Sequence, residues 1–297
     1  MAMKNRTAML SLLAAGSLWG ITVALSKLAL GWLDPATLTA MRFLVAMPVL
    51  ALIGRRGLRD ALTLRVFLSG TVGYGAQMLI QNIGIEHTSV SHGAIIVGAL
   101  PVVVALVTAA LGRGSSRPTL WVGYAVALLG VVLVAKGGGG GASTFGDTLV
   151  LLSVVLSGVF MAMQPAILRG KDAAAVTAVQ FLGGAAVSAP LALMHGLPSA
   201  PATAGPLFAF LALALVGTVL PFWLFAYGQA RVSPELAGAF VNLEPLVGAI
   251  VGWVAFSNPV GAPQIVGALA VVAGILVSLT PPQLIAPLQR LPLSARR

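Results

Sequence analysis

Residues 36–44, ATLTAMRFL, return as AAVTAVQFL at residues 174–182, and both copies lie inside long apolar stretches. A shift of 138 superposes Gly20 on Gly158 and Phe43 on Phe181. A shift of 144 superposes Gly73 on Gly217, Gly84 on Gly228 and Ser89 on Ser233. The same shift carries Pro101 onto Pro245, Gly123 onto Gly267 and Gly130 onto Gly274. Glycine and proline set backbone path and close helix approach, so their recurrence predicts one structure built twice.

The medium for that structure follows from composition. With 58% hydrophobic and 8% charged residues, and a mean hydropathy of +1.00, too little polar surface remains to cover a soluble domain. The first apolar span, 7–28, runs directly into others of similar length and reads as an anchor rather than a cleaved signal peptide. Cysteine is absent, which excludes disulfides, thiolate catalysis and Cys-ligated metal. The net charge of +10 is not gathered on one face among aromatic residues, so no nucleic-acid partner is expected. The bilayer is the expected partner.

A bilayer core takes about 20 helical residues. Breaking the apolar text at charges, prolines and glycine runs predicts spans at 7–28, 35–54, 65–85, 89–111, 118–136, 145–168, 174–195, 206–228, 233–256 and 261–280. With the amino terminus in the cytoplasm, fourteen Lys and Arg fall in inside connections, and only Lys27 and Lys136 fall outside. The expectation is an all-α membrane protein of ten transmembrane helices, both termini cytoplasmic. Five helices per copy is an odd number, so the second copy enters from the opposite face. The chain then divides into a first repeat (1–136), a glycine-rich linker (137–144), an inverted second repeat (145–280) and a basic cytoplasmic tail (281–297). Inverted repeats provide two alternately open states around a central cavity.

Polar residues at membrane depth usually face the bundle interior. Tyr74, Gln77, Met78 and Gln81 recur at helical spacing on the third span, and Ser157, Phe160, Met161 and Gln164 do so on the sixth. Trp19, Thr22, Val23 and Ser26 form the equivalent stripe on the first. These faces either line a cavity or tie neighbouring helices together; matching stripes on repeat-related helices favour the cavity. On the eighth span one of two pairs, Trp223 with Tyr227 or Phe222 with Phe225, lines it while the other faces lipid.

Glu244, before Pro245, is the acid placed near mid-membrane. It reads as the recognition group for a substrate ammonium or as a proton-coupling group, against a structural carboxyl satisfied by loosened backbone. Arg42, whose repeat mate is Gln180, meets a solute carboxylate, pairs with Glu244, or snorkels to the headgroups. Its place about two turns into the span favours snorkelling. Pro101 and Pro245 share a repeat position and read first as hinges, with solute contact by the freed carbonyls second.

Trp19-Gly20, the paired halves, and a proline central to spans four and nine followed by a glycine-spaced helix together resemble the EamA-type drug/metabolite transporter superfamily, over about residues 8–280. The resemblance implies a ten-helix bacterial inner-membrane carrier, working as a monomer without cofactor, that exports amino acids and related metabolites. It also implies cavity positions at Trp19, Tyr74, Gln77, Met78, Gln81, Met161, Gln164, Trp223 and Asn242. One departure is plain. Where many members close spans four and nine with an acid, this chain has Gly112-Arg113 and Ser257-Asn258, so no gating acid is carried over.

Other classes find less support. No GxxxxGK[ST] motif is present for an ATPase, and neither HExxH nor GxSxG for an intramembrane enzyme. His87, His92 and His195 lie near span ends and read as loop or helix-end residues rather than metal ligands. A passive pore for small solutes is the nearest alternative, and a phosphorylated cargo would call for more cavity cations than Arg42.

Overall fold

The structure, a computed structural model, describes residues 2–29, 31–87, 96–97, 99–112, 118–135, 143–194, 196, 198–241, 243–255 and 261–279. These are helical, with no strand among the described residues. In chain order the helices are α1 Ala2–Ala29, α2 Pro35–Ile53, the short α3 Leu58–Ala61, α4 Leu64–Gly70 and α5 Gln77–Glu86. They continue with α6 Leu100–Ala110, α7 Pro118–Ala135, α8 Thr144–Leu168, α9 Ala173–Met194 and α10 Ala204–Ala214. The last are α11 Leu220–Gln229, α12 Pro234–Val241, α13 Leu243–Ala255 and α14 Ala262–Leu279. The expected linker (137–142 of it) and the basic tail at 281–297 lie outside the described residues, as do His92 and His195.

Local chemistry sets the helix ends. Asp34 accepts from the backbone N–H groups of Ala36 and Thr37, each at 3.0 Å, and Pro35 supplies the first turn of α2. Ser143 caps α8 by accepting from Gly146 N–H at 3.0 Å, and its hydroxyl also donates to the His87 carbonyl. Gly112 and Gly170 close α6 and α8 at φ +68° and +72°, a left-handed conformation that a side chain would strain. His87, with Nδ1 2.9 Å from the Ile83 carbonyl and its ring on Phe145, has the helix-end role expected of it.

Among the described residues, four helices are long and apolar enough to cross a bilayer: Pro35–Ile53, Thr144–Leu168, Ala173–Met194 and the continuous Ala204–Gln229. Their outer faces carry large apolar side chains in the open, among them Leu52, Leu151, Leu193 and Phe208. In water such a surface would aggregate, whereas lipid solvates it.

Two of the predicted spans are interrupted. The third and eighth carry π-helical turns, Thr71–Ala76 between α4 and α5 and Leu215–Val219 between α10 and α11. A shift of 144 carries one onto the other. The ninth is described as α12 and α13, on either side of Asn242, which lies outside the described residues. Pro101 is the second residue of α6 and Pro245 the third of α13 as described, both in a first turn. A proline there forfeits no ladder hydrogen bond, because its missing N–H would have had no partner.

Packing follows a rule of exchange. α2 lies on α9 and α7 on α14; α5 packs on α8 as α11 packs on α1, and α6 on α8 as α13 on α1. Glycines sit at the contacts. A side chain at Gly20 would strike Val247, and one at Gly158 would strike Val103, the repeat mate of Val247. Gly123 stands against the Gly274 carbonyl, and Gly130 against that of Gly267. Without glycine these backbones would not approach so closely.

Candidate solute-binding site

Where the two sets of helices meet, aromatic rings fill the middle of the bundle. Tyr74, in the first π turn, has its ring 4.8 Å from Phe160, 5.1 Å from Phe222 and 5.2 Å from Phe181. Phe43 stacks on Phe181 at 4.8 Å, and these two are repeat mates. Trp19 closes the cluster from α1, 5.1 Å from Phe222 and 4.8 Å from Phe225. Most of these contacts are edge-on or tilted, the arrangement that ring quadrupoles favour. Met161 is buried in this core, with Met78 and Trp223 packed against it.

This settles which residues of the eighth span face inward. Phe222 and Phe225 are buried, whereas Trp223 and Tyr227 are half-buried. Tyr227 instead carries the Arg231 guanidinium 3.6 Å above its ring. Trp223, which the resemblance gives as a cavity position, is half-buried and packs against the same core, in which Phe222 and Phe225 are buried. Two phenylalanines and a Trp/Tyr pair share the helix, and only the neighbouring rings decide between them.

The polar residues divide into two groups. Gln164 and Gln180 bind each other reciprocally through their amides, at 3.0 and 2.9 Å, and Gln180 also donates to Ser69 Oγ at 2.9 Å. Both glutamines are fully buried, so Gln164 stands as a tie among three helices. Gln77 donates to Gln81 at 3.0 Å along one helical face, as the spacing predicts. Next to it Asn82 donates to Thr39 on α2 at 3.2 Å.

The second group surrounds Arg42. Its Nε donates to Thr218 Oγ1 and its Nη2 to the Gly217 carbonyl, 3.2 Å away, both in the second π turn. The guanidinium is therefore turned inward rather than snorkelling. The physical reason is that a π turn shifts carbonyls out of the α-helical register, supplying acceptors that an intact helix lacks. Gly217 in turn rests on Thr22, one turn beyond Trp19, and the Glu244 carbonyl rests on Gly20. Trp19 Nε1 is buried with no hydrogen-bond partner among the described residues. A buried indole N–H left unpaired costs free energy unless a ligand supplies the acceptor. No group of metal-ligating side chains occurs among the described residues.

The model of the EamA-like transporter family matches this chain twice, over residues 6–136 and 144–280. The chain belongs to the EamA-like transporter family and is a membrane transporter by that membership. It is 28% identical over 276 residues to a protein of Archaeoglobus fulgidus described as an uncharacterized transporter, covering 88% of this chain and 93% of that one. It is 26% identical over 284 residues to a probable terminal-alkyne amino-acid exporter of Streptantibioticus cattleyicolor, covering 93% and 94%. The inner membrane transporter YedA of Escherichia coli K12 is 26% identical over 254 residues, covering 82% and 80%. A solved crystal structure superposes with a TM-score of 0.82 at 21% identity, over 96% of this chain and 99% of that one, and so shares the fold.

Proposed function

We propose that this chain is a secondary carrier that exports amino acids and related small metabolites across the bacterial inner membrane. It works by alternating access between two inverted five-helix halves, ten spans in all, with both termini cytoplasmic. Supporting the duplication are the exchange of helix pairings, the paired π turns and the two separate family matches. The observation that carries the substrate class is that Arg42, held by Thr218 and Gly217, and the backbone of Glu244 both adjoin the α1 stretch from Trp19 to Thr22, where the Trp19 N–H is unpaired among the described residues. A zwitterion brings a carboxylate to Arg42 and the indole and an ammonium to Glu244. The wall formed by Tyr74, Phe160, Phe222 and Phe225 receives an apolar or aromatic side chain. The Streptantibioticus relative, described as a probable terminal-alkyne amino-acid exporter, points to the same class.

Gln77, Met78, Gln81 and Met161 complete the proposed lining, and Pro101 and Pro245 are the proposed hinge points. A counterflow panel of amino acids in proteoliposomes tests the proposal. Saturable exchange of zwitterionic amino acids, lost in Glu244→Gln, is the expected result. Flux that rises without saturation would replace the carrier with a pore, and exchange confined to solutes lacking either charge would remove the zwitterion.

A further inference from the structure

A groove of about 530 Å³ runs along the outer surface between α8 and the α4 helix with its π turn. Leu64, Leu68 and Val72 form one wall, and Leu156, Val159 and Met163 the other. Arg65 stands at one end; Gly73 and Phe160 close the other, about 12 Å along the helix by its rise of about 1.5 Å per residue. The Phe160 ring leans on Gly73 from one side and meets Tyr74 at 4.8 Å, so the inner end of the groove is the outer wall of the central aromatic cluster.

In the groove Leu64, Leu68 and Met163 are exposed, whereas Ile167 is buried. Charge identifies the occupant. Arg65 is exposed and makes no hydrogen bond or ion pair among the described residues. Arg55, Arg56 and Arg59 stand exposed on the adjoining connection and Arg169 at the near end of α8.

We propose that this groove is a binding site for an anionic phospholipid, with one acyl chain lying along the apolar walls to Phe160 and the phosphate on Arg65. A guanidinium receives a phosphate through two parallel hydrogen bonds. Basic pockets between membrane helices select lipids with net negative head groups. Through Phe160 the acyl chain presses on the ring that holds Tyr74, which ties the lipid to the central site.

The test is photolabelling of the purified full chain in vesicles, with tracer phosphatidylglycerol or phosphatidylcholine carrying a diazirine on the acyl chain. It needs no transport, so its outcome is independent of the export proposal. Expected is labelling by phosphatidylglycerol of peptides spanning residues 68–72 and 156–163. Labelling falls about fivefold with phosphatidylcholine or in Arg65→Gln, the factor for one basic residue near an anionic surface. In Leu68→Trp, which fills the groove, it falls to background for both lipids. Equal labelling by the two lipids, indifference to Arg65→Gln, or equal labelling at residues 208–216 would each overturn the proposal.

Discussion

At the scale of single residues, the centre is held by groups whose partners come from the opposite half. Trp19 offers the sharpest test because its ring and its N–H act separately. Trp19→Phe keeps the contacts with Phe222 and Phe225 and removes the unpaired donor. The expected outcome is unchanged expression and a KM for exchange raised about tenfold, as for one lost hydrogen bond to a charged group. An unaltered KM would show that the indole nitrogen meets no substrate. The glutamine tie gives a second prediction. Gln164→Leu leaves the Gln180 amide short of its buried partner and should cost about 1–2 kcal/mol, whereas the double change to leucine should cost less than the two single changes together. Thermal unfolding in detergent, arranged as a double-mutant cycle, measures this; strict additivity would mean that the pair is not coupled.

At the scale of helices, glycine contacts are the most exacting feature. A methyl group at Gly123 would stand 2.1 Å from Ser278 Oγ and 2.6 Å from the Gly274 carbonyl, so Gly123→Val must push α7 away from α14. A loss of about 1–3 kcal/mol is expected, the usual cost of overpacking. The same substitution at Gly205, which has open space around it, should be close to neutral in the same unfolding assay. Helix existence, and the recurrence of glycines that fixes these crossings, were legible in the text because apolar length and small residues are local properties. The π turns were not. Thr71–Ala76 and Leu215–Val219 contain ordinary helix formers and glycine, and what selects an extra residue per turn is the neighbour it accommodates. For the second turn that neighbour includes Arg42. The inward turn of Arg42 was unreadable for the same reason, since its acceptors are created by a backbone irregularity 175 residues away. Likewise Phe222 and Phe225 are distinguished from Trp223 and Tyr227 only by Trp19 and Tyr74, which reach them across the bundle.

At the scale of the whole molecule, the arrangement predicts threading. The chain has no cysteine, so a single introduced cysteine reports its own side of the membrane without a background to remove. Asp60 and Ser199 lie at nearly equivalent places in the two repeats, in the connections that follow the α2 and α9 helices. Asp60→Cys should react with an impermeant maleimide only in inside-out vesicles, and Ser199→Cys only in right-side-out ones. Reaction of both on one side would make the halves parallel and remove the alternating-access mechanism. The symmetry in the text was sufficient to anticipate which helices correspond. It could not say that one copy would specialise in rings and the other in charge acceptors, because Tyr74 and Thr218 are repeat mates with unlike side chains.

The reciprocal seam at Gly123–Gly274 and Gly130–Gly267 has the form of contact found between identical subunits, yet both strands of it belong to one polypeptide. Dilution cannot part such partners, since a tether keeps their effective concentration high whatever the amount of protein in the membrane. A true homodimer must also duplicate every substitution across its axis, placing two arginines, or none, at its middle. Fusion lifts that obligation, and the axis is free to carry Arg42 on one side and Gln180 on the other.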